Sequence, residues 1–255
     1  MVARVLRRDS SARPAKPSPD AMTLFEHLAE LRRRIIVSLL AFTVASVVCY
    51  ALYNHLLNFL RGPYCKAIHG RVCPDFVILA PLQGFSARLD LSAVGGLVLA
   101  LPIILWEMWR FVTPGLKANE KRYAVPFVLA TVLLFVAGAV VAYEMFPRGL
   151  GFLIHQSGSS VKPFLSVQSY VSLISLLILV FGLAFEFPAV LVALELAGVV
   201  RPVALRRFRR YAILVIVVFA AVVTPSADPF SMFALALPLY LFYEGAIWIG
   251  RLLGK

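Results

Sequence analysis

Two carboxylates stand inside runs of cations: Glu30 in Glu30-Leu31-Arg32-Arg33-Arg34, and Glu120 in Glu120-Lys121-Arg122. One reading of each is an ordinary solvated pair, such as Glu30 with Arg34 at i, i+4. The other is convergence of both carboxylates on a cationic ligand, with neighbouring arginines orienting them. A guanidinium pairs bidentately with a carboxylate, so such a site would favour arginine over lysine. Glu186 stands within the apolar run Phe181-Gly182-Leu183-Ala184-Phe185-Glu186-Phe187-Pro188. An ionisable group deep in hydrocarbon costs several kcal/mol unless paired, hydrated or protonated, so a functional role is the default reading. The alternative is a protonated carboxyl that hydrogen-bonds a neighbouring helix. Pro188 removes a backbone donor there and bends the chain.

Other residues support blander chemistry. Glu107 and Arg110 can pair at i, i+3, and Glu195 has candidate partners among Arg201–Arg210. Cys65, His69 and Cys73 follow C-x3-H-x3-C spacing. A metal site there lacks a fourth ligand. Two free thiols and a loop-closing disulfide are the other readings, and an oxidising compartment favours the disulfide. Cys49 reads as a small apolar packing residue. The chain has no Walker-type glycine loop, no HExxH helix and no GxSxG elbow. His27, His55, His69 and His155 are scattered. Nothing here points to an enzyme, a cofactor or a metal.

The elements that must position these groups follow from hydropathy. Of 255 residues, 61% are hydrophobic and 15% charged, with a mean hydropathy of +0.86. Soluble domains carry about 45–50% apolar and about 25% charged residues. Lipid is therefore the expected solvent. Six apolar segments, at about 35–53, 92–111, 124–146, 169–197, 211–223 and 232–249, predict an all-α integral membrane protein with six transmembrane helices. With the N-terminus inside, 19 of the 25 Lys and Arg residues fall on the inside and six in the outside loops. That asymmetry predicts cytoplasmic N and C termini. The net charge of +12 is spent at the ends of apolar segments, which argues against a nucleic-acid binder.

Segment lengths are uneven. The fourth would be about 43 Å long and must tilt or protrude, whereas the fifth, at about 20 Å, must recruit Phe208 and snorkelling arginines or thin the bilayer. Residues 1–21, rich in Arg, Ser and Pro, read as a disordered basic tail ahead of a membrane domain at 22–251, and 252–255 read as a second tail. Thr23-Leu24-Phe25-Glu26 fits a capping box that opens the first helix.

Several stretches, in order, carry a resemblance. His27-Leu28-Ala29-Glu30-Leu31-Arg32-Arg33-Arg34 resembles the HLxELRxR signature of the TatC family. Trp109-Arg110-Phe111-Val112-Thr113-Pro114-Gly115-Leu116, followed by Glu120-Lys121-Arg122, is similar to its WxFxxPGLxxxE(K/R)R stretch. Phe185-Glu186-Phe187-Pro188 resembles its FExP motif, and Thr224-Pro225 with Asp228 its TPxxD-like turn. The resemblance implies a glove-shaped, concave six-helix scaffold that receives the twin-arginine signal peptides of folded precursor proteins at the cytoplasmic face of the bacterial inner membrane. Glu30 and Glu120 would contact the arginine pair, with Arg32 and Phe111 shaping the site. Glu186 would lie on the groove, and Thr224 and Asp228 near contacts with the single-span partners TatA and TatB. Several copies would assemble with these partners, and the proton-motive force would drive export. The chain departs from the family pattern at Gln83, Trp106-Glu107 and Met232, and in a longer turn at 225–229.

An alternative from a different class is a proton-coupled small-molecule transporter using Glu186. Such folds commonly show repeated halves around a midplane site, and no internal repeat is visible here.

Overall fold

A computed structural model describes residues 24–68, 73, 75–112, 124–156, 165–196, 198–200, 202–224 and 229–252. Eight helices account for the regular structure among them. They are α1 Leu24–Ala51, α2 Tyr53–Ile68, α3 Gln83–Val112, α4 Ala124–Gln156, α5 Val167–Leu196, α6 Pro202–Arg207, α7 Arg209–Val223 and α8 Pro229–Leu252. The extended pairing among described residues is one isolated parallel bridge, Val77 with Ser166. The described architecture is thus all-α. The basic tail, the capping-box residue Thr23, Glu120, most of the 224–229 turn and the last three residues lie outside the described residues.

Five helices are long and apolar enough to cross a membrane: α1, α3, α4, α5 and α8. Helix α7, with 15 residues and about 22 Å of length, is shorter than that criterion requires. The apolar surface faces outward. Ile35, Leu39, Leu40, Val44 and Val47 on α1 are each more than half exposed. In water such a ridge would drive association, whereas lipid tails cover it at no expense.

Hydrocarbon supplies no hydrophobic drive between helices, so close packing must hold them. Glycines provide it at two crossings. A Cβ on Gly96 of α3 would lie 2.6 Å from the Ser46 backbone of α1, and one on Gly138 of α4 would lie 2.6 Å from the Phe181 carbonyl oxygen of α5. Gly182 of α5 in turn admits the Phe135 ring of α4, which would lie 2.5 Å from an added Cβ.

Several helices outrun the apolar segments that announced them. Helix α3 begins nine residues before position 92 because its early charges are satisfied in place. Arg88 donates to the Tyr50 carbonyl at 3.0 Å and lies 4.1 Å from the Tyr50 ring centroid. Asp90 accepts from Gln168 at 2.6 Å and from Ser172 at 2.8 Å, both on α5. These contacts tie the start of α3 to the end of α1 and the start of α5.

At that same end, α2 leaves α1 after a one-residue break at Leu52. It buries Leu60, Pro63, Tyr64 and Ala67, spaced three and four residues apart on one face. Tyr64, Phe76, Phe146 and Tyr170 form an aromatic cluster there, in which Tyr170 also donates to the Leu60 carbonyl. Cys65 is joined to Cys73 by a disulfide, and Arg61 pairs with Asp75 at 2.6 Å. The third cysteine, Cys49, is buried and free.

Candidate functional site

The end of the molecule that carries Arg32–Arg34 and Arg110 is built by the start of α1 lying against the finish of α3. The two helices run antiparallel, since Arg88 near the start of α3 reaches Tyr50 near the finish of α1. The Gly96 crossing holds them close enough for side chains at this basic end to meet.

Arg34 is the centre of that meeting. It bonds Glu30 one turn earlier on α1, through Nε to Oε1 at 3.1 Å and through Nη2 to the same oxygen. Its Nη1 reaches across to α3 and donates to Glu107 Oε2 at 3.0 Å. The three side chains keep only 13%, 22% and 14% exposure for Arg34, Glu30 and Glu107. One guanidinium is thus shared by two half-buried carboxylates. The other oxygen of Glu30, Oε2, is buried and has no hydrogen-bond partner.

Aromatic and cationic groups frame the cluster. His27 stacks on Phe111 with ring centroids 4.4 Å apart, joining the two helices one turn further out. Arg110 lies 3.9 Å from Glu107 Oε1 and is itself exposed. Arg32 is exposed. Beside the cluster, Leu31, Ile35, Leu39, Ile104, Met108 and Phe111 line an apolar groove that also contains Arg34 and Glu107. Glu30 and Phe111 therefore share one site, Arg32 stands at its rim, and Glu120 lies outside the described residues.

The acids on α5 occupy different surroundings. Glu186 is 9% exposed, and its Oε1 is buried without a hydrogen-bond partner. Leu183, Phe187 and Val190 form the exposed stripe of the helix around it. Glu195 is 1% exposed, and neither carboxyl oxygen has a hydrogen-bond partner. Among the described residues, none of Arg206, Arg207, Arg209 and Arg210 pairs with Glu195; Arg201 lies outside them. Glu195 packs instead against Gly250 of α8, where an added Cβ would lie 2.3 Å from Oε2. Arg209 pairs with Glu244 of α8. Thr224 is buried and its hydroxyl donates to Ala220 at 2.8 Å, ending α7, while Asp228 lies outside the described residues.

Sequence reasoning treated Glu30–Arg34 and Glu107–Arg110 as two separate local pairs. The structure contains both and connects them through Arg34–Glu107, a contact across 73 positions. A spacing rule within one helix carries no information about that link. Inward phasing of Arg34 and Glu107 on their helices was its available signal.

Comparison with known proteins decides the lineage. Residues 26–238 match the model of the family described as TatC, Sec-independent protein translocase protein. The chain belongs to the TatC family. It is 41% identical over 240 residues to the Sec-independent protein translocase protein TatC of Frankia casuarinae, covering 91% of this chain and 66% of that one. It is 36% identical to the protein of the same description from Aquifex aeolicus, covering 91% and 95% of the two chains. The chain thus spans just under two thirds of the first relative and nearly all of the second. A crystal structure described as the twin arginine translocase receptor TatC superposes with a TM-score of 0.74 at 36% identity, covering 90% of this chain and 100% of that one. Family membership and the long apolar helices together make this TatC-family chain a multi-pass membrane protein.

Proposed function

We propose that this chain is the signal-receptor subunit of a Sec-independent protein translocase, reading twin-arginine signal peptides of folded precursors at the cytoplasmic face. The observation that carries this reading is Glu30: a half-buried carboxylate at a basic surface, with one oxygen free of any hydrogen-bond partner. A bare acceptor amid arginines suits an incoming guanidinium, which satisfies a carboxylate with two parallel bonds. Glu120 supplies the second carboxylate, Phe111 a wall of the site and Arg32 its rim.

In this reading α1, α3, α4, α5, α7 and α8 are six spans, with both termini cytoplasmic and the chain in a bacterial inner membrane. Helix α7 crosses despite its length by drawing Phe208 and the flanking arginines toward the interface. The helices form a glove-shaped concave scaffold. Single-span TatA and TatB partners meet it near Glu186, Thr224 and Asp228, several copies assemble, and the proton-motive force drives transport. The family match supports this reading over the small-molecule transporter built on Glu186.

The test is crosslinking of the membrane-inserted protein to a signal peptide bearing Arg-Arg, with a Lys-Lys peptide as control. Glu30→Lys and Glu120→Lys should each abolish the Arg-Arg crosslink while leaving the amount of inserted protein unchanged. Undiminished crosslinking in both variants would sink the assignment.

A further inference from the structure

The Glu30–Arg34–Glu107 cluster has a geometry that a simple structural tie does not need. Arg34 directs both Nε and Nη2 at one oxygen of Glu30 and leaves the other, buried Oε2, with nothing. Its third nitrogen, Nη1, is held by Glu107 from the opposite helix. A ligand guanidinium needs both oxygens of a carboxylate for its two parallel bonds. Glu30 can offer only one while Arg34 stays where it is.

We propose that Arg34 is an internal competitor for the ligand's arginine, and that Glu107 is the residue that receives Arg34 when the ligand displaces it. The inference rests on the receptor reading of this site and adds to it a built-in competitor that sets an affinity threshold. Exchange is between like groups. An incoming guanidinium takes over Glu30, and Arg34 swings about its Nη1 contact onto Glu107 alone. Without Glu107 the displaced cation would be left half-buried and unpaired, which carries a penalty of its own.

The displacement cost is common to any cation that takes Glu30, and selectivity is a difference of affinities, so Arg34 lowers the affinity for arginine and lysine alike. The preference for arginine rests on the paired bonds to Glu30 that a compact, strongly hydrated ammonium cannot reproduce. Arg34 thereby sets an affinity threshold that the weaker ligand fails at concentrations where the stronger one binds. Glu107 is a positioning residue here, since it acts through Arg34 and does not contact the ligand.

The experiment measures binding of two synthetic peptides to the full-length protein in lipid nanodiscs. One peptide carries Arg-Arg ahead of an apolar run, and the other carries Lys-Lys in its place. Wild type, R34Q, E107Q and the double variant are compared, with thermal midpoints recorded alongside. R34Q should raise the affinity for both peptides by about tenfold and leave the arginine preference unchanged. E107Q should weaken arginine-peptide binding by about tenfold, yet change it less than about twofold when R34Q is already present.

An arginine-peptide affinity that R34Q leaves unchanged or lowers overturns the proposal. So does an E107Q loss that persists in the R34Q background, since Glu107 would then act on the ligand directly. Should R34Q not accumulate, R34M replaces it in the cycle, because a thioether carries neither charge nor donor to be displaced onto Glu107; the E107Q effect should collapse there as well. If wild-type protein binds neither peptide, the receptor reading itself fails. If it binds the arginine peptide but the cycle is additive, only the exchange fails.

Discussion

The α4–α5 crossing offers a measurable test of glycine packing as the force that holds this fold. A Cβ on Gly138 would stand 2.6 Å from the Phe181 carbonyl oxygen and 2.9 Å from the Phe185 ring, where ordinary contact begins at 3.4 Å. The shortfall against the backbone oxygen is about 0.8 Å, and no rotamer change can relieve it, so the helices must part. Overpacking of this kind costs about 1–3 kcal/mol. Gly245, about two turns before the end of α8, is the internal control, since an added Cβ there meets nothing within 4 Å. Replacing glycine by alanine in a helix interior gains about 1 kcal/mol at either position, so the difference between the variants isolates the crossing. That difference, at about 2–4 °C per kcal/mol for a chain of this size, should be roughly 2–12 °C in thermal midpoint. Circular-dichroism melts of detergent-purified G138A and G245A give the two values. Midpoints within about 1 °C of each other would refute close glycine packing as the source of the α4–α5 association.

Two further outcomes follow from the opposite end of the molecule. The Cys65–Cys73 bond closes a separation of eight residues, worth about 2.5 kcal/mol of loop entropy, so C65A/C73A should melt lower than wild type and be insensitive to reductant. A wild-type melt unmoved by reductant at full thiol release contradicts this. Asp90 accepts from both Gln168 and Ser172, so D90A should lose about 1–3 kcal/mol while D90N, which keeps one acceptor, loses less than half of that. Equal midpoints for D90A and wild type would show that the network contributes nothing.

What was legible in the sequence and what was not divides along the range of the interaction. The apolar runs and the FExP and HLxELRxR stretches are local, and α4 and α5 begin within two residues of their expected positions. The early turns of α3 were missed because Arg88 and Asp90 look like loop residues until Tyr50, Gln168 and Ser172 are brought beside them. Helix α2 was missed because Arg61, Pro63 and Lys66 interrupt its hydropathy, although Leu60, Pro63, Tyr64 and Ala67 share one face. At the candidate site, Glu30 and Phe111 were readable from their motifs. Their connection through Arg34 and Glu107 was not, because it is a property of two helices and of the Gly96 crossing that sets their distance. Glu195 shows the converse error: proximity in sequence to five arginines suggested a pair, whereas the fold turns the carboxyl onto Gly250.

The Arg34–Glu107 contact also has a history in time. Its partners are 73 residues apart, so at roughly 5–20 residues per second of synthesis Arg34 is made about 4–15 s before Glu107. Helix α1, whose apolar residues stay largely exposed in the finished fold, can wait in lipid with little help from other helices. During that interval Arg34 can pair with Glu30 one turn earlier on its own helix, while Arg32 and Arg33 stand exposed at the edge of the first apolar helix. The same arginine thus pairs first within its own helix and afterwards, once α3 has arrived, becomes one member of a cross-helix cluster.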